Sequence, residues 1–180
     1  MQTQVSQLQT TDEVQEDFFG LRWFLLFIAL LEGFDAILDL PLIIDRPNLL
    51  FGTGGTRSTT LLGLVLAKLY VVGHPLLVIA AAAWSVAGNV RGALIAFAAI
   101  CVLAWLSILP MAFALQPHGW WEIQWVVAQS LVFPLLAGTV IVLAVLTSRY
   151  RLAAALVAFP TLYNAFGTVM FVVRAILNNM

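Results

Sequence analysis

The sequence predicts an all-α polytopic membrane protein, a bundle of five transmembrane helices. Of its 180 residues, 62% are hydrophobic and 9% are charged, whereas a soluble domain carries about 25% charged residues. A soluble chain this apolar would lack the polar side chains that cover a water-exposed surface, so lipid must solvate much of it. Five apolar stretches are long enough to cross a bilayer core, which takes about 20 helical residues. Helices are expected because open strands would leave backbone groups unpaired in lipid.

The five predicted spans are separated by short polar breaks. They cover residues 18–44, 59–87, 92–115, 123–147 and 152–177. Proline, glycine and asparagine mark the breaks, as they do in turns. Ahead of the first span, residues 1–17 are polar and acidic and predict a disordered tail. A secretory signal would instead place basic residues directly before a short apolar stretch. The first helix is therefore expected to remain in the mature protein.

Composition also narrows the partners and cofactors. The net charge of −1 provides no basic patch for nucleic acid. One cysteine, Cys101, allows neither a disulfide nor a thiolate metal site within the chain, and it is interpreted as a small core residue. His74 is the single histidine inside a predicted span, so the chain lacks the paired ligands of a transmembrane haem site, and no cofactor is predicted. The expected partners are the lipid bilayer and either a second copy or another membrane subunit.

The orientation of the spans follows from the arginines near their ends. With five spans, the side of the N-terminus holds four arginines and the opposite side holds three. The first set is Arg22, Arg91, Arg149 and Arg151, and the second is Arg46, Arg57 and Arg174. Because cytoplasmic loops carry the excess of positive charge, this distribution predicts a cytoplasmic N-terminus and a C-terminus on the outside.

Three carboxylates lie within the first predicted span. Glu32, Asp35 and Asp39 fall within a stripe of about 60° on one helix face. A charge at mid-membrane costs about 2.5–3.5 kcal/mol on insertion scales, and lipid offers nothing to compensate it. The three side chains are therefore expected to face the bundle interior.

The second predicted span supplies candidate partners for these carboxylates. If the first two helices form an antiparallel pair, Lys68 lies level with Asp35 and His74 lies level with Leu30 to Glu32. Tyr70 shares a face with His74, one helical turn away. His74 and Glu32 are residue types that bind metals, but Lys68 nearby would repel a cation, and no metal site is predicted.

The remaining deep polar residues fall in the same half of the membrane. Arg174, close to the end of the last span, is expected near the depth of Asp39. Counted from the ends of their helices, Gln129 and Ser107 lie in this half as well. Interior prolines recur in spans two to five and act either in packing or as hinges. These prolines are Pro75, Pro110, Pro134 and Pro160.

Two interpretations of this charged cluster remain open. In the structural one, Lys68–Asp35 and Arg174–Asp39 are ion pairs that fix helix register, and Glu32 is uncharged. In the functional one, the cluster binds an ion, a proton or a small polar solute, since ionisable residues inside membranes often mark pathways.

The functional interpretation favours a transporter or a channel-like protein. The alternatives are a membrane enzyme or a lipid- or small-ligand-binding protein with an intramembrane acid–base site, in which Glu32 or His74 serves as acid or base. An accessory subunit, whose charges only pair with partner helices, is the third hypothesis.

Overall fold

The structure is a computed structural model of the chain. It describes residues 19–37, 61–112, 123–124, 127–147 and 149–178. Every described residue is helical except those in two short turns, at 87–89 and at 149. The prediction of an all-helical chain is therefore confirmed over these ranges. The predicted tail at 1–17 lies outside the described residues.

Five helices make up the described part of the chain. They are α1 (residues 19–37), α2 (Leu61–Val86), α3 (Val90–Ala112), α4 (Ala128–Thr147) and α5 (Tyr150–Asn178). Helix α4 is regular over Phe133–Val142 and is flanked by two π-helical turns, Ala128–Val132 and Leu143–Thr147. Around the two described turns, α2 ends at Val86, α3 begins at Val90 and α5 begins at Tyr150, where the sequence predicts 87, 92 and 152.

Three of these helices are long and apolar enough to cross a membrane, judged on the described residues. The qualifying segments are Lys68–Val86, Val90–Ser107 and Ala128–Thr147. Helix α1 is less apolar because Arg22, Glu32 and Asp35 all lie within it. The structure thus supports a multi-pass helical membrane protein, and the count of five spans stays a prediction.

A tight turn joins α2 to α3. Gly88 has a φ of 76°, in the left-handed region that glycine adopts without a steric penalty. Its N–H donates to the Ser85 carbonyl at 3.1 Å, and the Asn89 N–H donates to the Trp84 carbonyl at 2.8 Å. The Asn89 side chain then caps α3 by accepting from the Gly92 N–H at 2.9 Å. Because of this cap, α3 begins two residues before the predicted third span.

One apolar core joins all five helices. Most of its side chains are small, which allows helices to approach closely in lipid. Its members include Leu25, Ile28, Ala29, Val78, Ala81, Ala93, Leu94, Phe97, Ala137, Val140, Ala144, Ala153, Ala154 and Val157. We call the end of the bundle that carries the turns at 87–89 and 149 the short-turn end, and the opposite end the far end. The core fills the half of the bundle next to the short-turn end.

A side-chain hydrogen bond joins α3 to the start of α4. Pro134 has no N–H, so the Ser130 carbonyl, four residues earlier, loses its usual α-helical donor. The indole Nε1 of Trp105 donates to this carbonyl at 3.1 Å. The bond falls in the π-helical turn of α4, where the regular ladder of backbone bonds is already interrupted. Trp105 therefore satisfies a backbone group that the proline would leave exposed to lipid.

Candidate functional site

Glu32 and His74 meet in the interior of the bundle. The Nε2 atom of His74 lies 3.2 Å from Oε2 of Glu32, and the two residues are only 3% and 8% exposed, respectively. His74 occupies the middle of α2, thirteen residues after Leu61 and twelve before Val86. The structure thus brings together the two residues that the sequence predicts to lie at one depth.

Thr161 of α5 completes the site. Its hydroxyl donates to Oε1 of Glu32 at 2.6 Å, and the residue is 4% exposed. Hydrogen bonds to a carboxylate are shorter and about twice as strong as neutral ones. Both oxygens of Glu32 are therefore bonded, one to α2 and one to α5. We call Glu32, His74 and Thr161 the three-helix site.

Sequence reasoning missed Thr161 because threonine in a membrane helix can satisfy its own hydroxyl. The hydroxyls of Thr139 and Thr147 do this, donating to backbone carbonyls four residues earlier at 2.8 and 2.9 Å. A threonine of this kind costs little to bury in a membrane, so nothing in the sequence indicates that it has a partner on another helix. The contact of Thr161 with Glu32 also joins residues 129 positions apart, which no local pattern indicates.

The neighbours of His74 hold its ring in place. Tyr70, one turn earlier, stacks on the imidazole with ring centroids 5.0 Å apart and planes 13° apart. Gly73 allows α3 to approach, since a Cβ atom there would lie 2.7 Å from Cδ2 of Leu103. The imidazole thus stacks on the Tyr70 ring, with its Nε2 atom directed at Glu32.

Interior prolines border the site on two helices. Pro75 follows His74 in α2, and Pro160 precedes Thr161 in α5. Each proline removes a backbone N–H, so a carbonyl one turn earlier loses its intrahelical donor. Two of the three helices that form the site therefore carry a local weakness beside it, where bending costs least.

The Glu32–His74 pair can hold one exchangeable proton without breaking its hydrogen bond. With Glu32 ionised and His74 neutral, Nε2–H donates to Oε2 and the pair carries a single negative charge. One added proton makes the pair neutral overall, either as imidazolium and carboxylate or as a carboxyl group that donates to Nε2.

A second polar contact lies one helical turn from the three-helix site. The Nε2 atom of Gln129, a buried residue, donates to Oδ1 of Asn164 at 3.0 Å. Asn164 follows Thr161 by three residues, so both side chains lie on one face of α5. The sequence predicts that Gln129 lies in the same half of the membrane as the charged residues but does not identify its partner. We call Gln129 and Asn164 the amide pair.

The remaining predicted site residues are less fully described. Asp35 and Lys68 are both half-buried, and their ion pair stays a prediction. Arg174 lies within α5, but its side chain is outside the described part of the structure, and Asp39 lies outside the described residues altogether. Ser107 donates to the Ala104 carbonyl of its own helix at 2.7 Å. The contacts described above are therefore centred on Glu32, and the ion pairs stay predictions.

Cys101 is buried and free in α3, which confirms its interpretation as a core residue. No three His, Cys, Asp or Glu side chains in the described ranges come together as metal ligands would. No known protein family, curated protein or solved structure matches the chain. The function must therefore be argued from the site itself.

Proposed function

We propose that this chain is a five-span membrane transporter or channel-like protein whose three-helix site binds and releases a proton. The observation that carries the proposal is the bonding of Glu32, whose two carboxyl oxygens are held by side chains from two other helices at mid-bundle. The partner of Glu32 on α2 is an imidazole, a group that can gain or lose a proton, whereas lysine or arginine in that place would act as a fixed opposite charge.

The count of five spans requires α1 and α5 to cross the bilayer together with the three apolar helices. Their outward faces support this, because they present large apolar side chains that suit lipid. On α1 and α5 these exposed residues include Phe24, Phe27, Leu30, Phe34, Phe159, Leu162 and Phe166. Their inward faces carry Glu32 and Thr161, so the polar groups are directed away from lipid. The arginine distribution then favours a cytoplasmic N-terminus.

Coupling between proton and structure follows from where the three groups are attached. Glu32, His74 and Thr161 lie on α1, α2 and α5, respectively. The two hydrogen bonds of the Glu32 carboxyl group, which is the proposed proton-binding group, therefore also connect these three helices. A change in protonation changes the strength of both bonds. A local electrostatic change of this kind drives helix movement when the helices have two packing arrangements. This is the property that a transporter requires.

The test is proton flux in proteoliposomes that contain a pH-sensitive dye and are driven by a potassium diffusion potential. We expect protein-dependent flux in the wild type, loss of most of it in Glu32→Gln and a partial loss in Thr161→Val. Thr139→Val is the matched control, since that hydroxyl bonds only to its own helix. Its flux should equal that of the wild type.

Two outcomes would reject the proposal. Equal flux in Glu32→Gln and wild type would show that the site carries no transported proton. A folded wild type with no flux, alone or with added small solutes, would reject transport. The imidazole of His74, which the Glu32 carboxylate orients, would then favour the rival function. In that function the protein is a membrane enzyme and His74 acts as a general base. That function predicts His74-dependent conversion of a lipid supplied in the vesicles.

A further inference from the structure

Buried polar groups are distributed unevenly along the bundle. From the three-helix site towards the short-turn end, the buried residues that the structure describes are apolar, with one exception. The exception is Ser85, whose hydroxyl donates to the Ala81 carbonyl of its own helix at 2.8 Å. Apolar cavities and apolar cores do not hold water. Arg22, in the first turn of α1 at this end, also has a buried Nε atom with no hydrogen-bond partner among the described residues. Between Arg22 and the three-helix site, the described buried side chains offer no polar path for water or protons.

The apolar half is thick enough to act as a seal. Twelve residues separate His74 from Val86, the last residue of α2, and this length of helix spans about 18 Å. Eleven residues separate Thr161 from Tyr150, the first residue of α5, or about 16 Å. Both lengths exceed half of a hydrocarbon core of about 30 Å.

Towards the far end the interior is polar. The amide pair follows the site directly on α5, and the Ser130 hydroxyl beside Gln129 is buried with no hydrogen-bond partner among the described residues. Each carboxamide offers two donor hydrogens and an acceptor oxygen, and the contact between Gln129 and Asn164 uses one donor and one acceptor. These spare groups are the partners that ordered water needs.

We propose that the three-helix site exchanges protons with the far end only, through a hydrated passage lined by Gln129, Ser130 and Asn164. The occupant is water, which carries protons from the far end to Glu32. This inference rests on the proposed function, because a water path serves a site that binds and releases a proton. Whether the passage is hydrated can be measured independently of any transport by the protein. Transport to the other side requires the apolar half to open.

The test is the access of an impermeant, positively charged methanethiosulfonate reagent to single cysteines in a Cys101→Ala background. Gln129→Cys and Asn164→Cys report on the passage. Ala137→Cys and Val157→Cys are matched controls, placed about two turns towards the short-turn end on the same helices. Vesicles of known orientation are labelled from each side separately. A lipid-permeable maleimide, applied after denaturation, verifies that every thiol is free.

The expected result is labelling at positions 129 and 164 from the far side alone, and no labelling at 137 or 157 from either side. Labelling at 157 from the short-turn side would overturn the seal. Absence of labelling at both 129 and 164 in folded protein would overturn the passage.

A second measurement does not depend on cysteine variants. Proton uptake after a pH jump on the far side should slow at least severalfold in Gln129→Leu, with the amount of proton taken up unchanged. An unchanged rate would contradict the passage, whereas loss of all uptake in Glu32→Gln concerns the proposed function alone.

Discussion

The hydrogen bond from Thr161 to Glu32 can be tested by a nearly isosteric substitution. Thr161→Val removes the hydroxyl and leaves the volume in place, so no cavity is formed. Neutral side-chain hydrogen bonds between membrane helices contribute about 0.6 kcal/mol on average and at most about 1.7, and a charged acceptor roughly doubles such a contribution. With a donor–acceptor distance of 2.6 Å and full burial, we expect a loss of about 1.5 kcal/mol in the free energy of unfolding. This corresponds to about a tenfold change in the equilibrium constant.

The assay is reversible unfolding in mixed micelles, with Thr139→Val as the reference variant. The reference loses only a bond to its own backbone on the exposed surface, so its stability should stay within about 0.5 kcal/mol of the wild type. A double-mutant cycle with Glu32→Gln isolates the pair, and we expect a coupling energy near 1 kcal/mol. A difference below about 0.5 kcal/mol between the two valine variants would refute the argument that Thr161 holds the Glu32 carboxyl group.

Two further tests, each with a matched control variant, examine helix packing at Gly73 and the hydrogen bond of Trp105. Gly73→Ala would place a Cβ atom 2.7 Å from Cδ2 of Leu103. Because that atom ends a side chain that can shift, and because alanine favours the helix, unfolding measurements should show a loss of about 1 kcal/mol, at the low end of the cost of overpacking. Gly138→Ala, with no atom within 4 Å of the added Cβ, should be neutral or stabilising, and equal effects would contradict the close contact. Trp105→Phe should cost about 0.6–1.7 kcal/mol. That cost should shrink in a Pro134→Ala background, where a restored backbone N–H replaces the indole donor, and an undiminished cost would argue against this role.

The relative depth of Glu32 and His74 could be predicted from the sequence, but the contact that Thr161 makes across the bundle could not. His74 was placed level with Leu30 to Glu32 because consecutive membrane helices form antiparallel pairs, and the structure joins the His74 and Glu32 side chains at 3.2 Å. Counting residues from the helix ends in this way works for two helices that follow each other in sequence. It does not say which face of α5 approaches α1, so the position of Thr161 had to come from the packing of all five helices.

The amide pair shows a signal that the sequence did contain. Asparagine and glutamine cannot satisfy both ends of a carboxamide within their own helix as readily as threonine satisfies its hydroxyl. Gln129 was recognised as a deep polar residue, but Asn164, in an equally apolar stretch, was not. Two uncharged amides within predicted spans are expected to find each other, because each is costly to bury alone. Pairing them would have indicated that α4 and α5 contact each other at this depth.

The two halves of the bundle differ in how they hold the helices together. Towards the short-turn end, alanines and other apolar side chains pack closely, and this packing does not depend on pH or ligand. Around the three-helix site, the bonds between helices pass through Glu32, and their strength depends on whether a proton is present. Pro75 and Pro160 lie beside these bonds, where the helices bend most easily. In the proposed function, a proton that binds at Glu32 therefore acts at a level where hydrogen bonds tie α1, α2 and α5 and where prolines weaken two of these three helices.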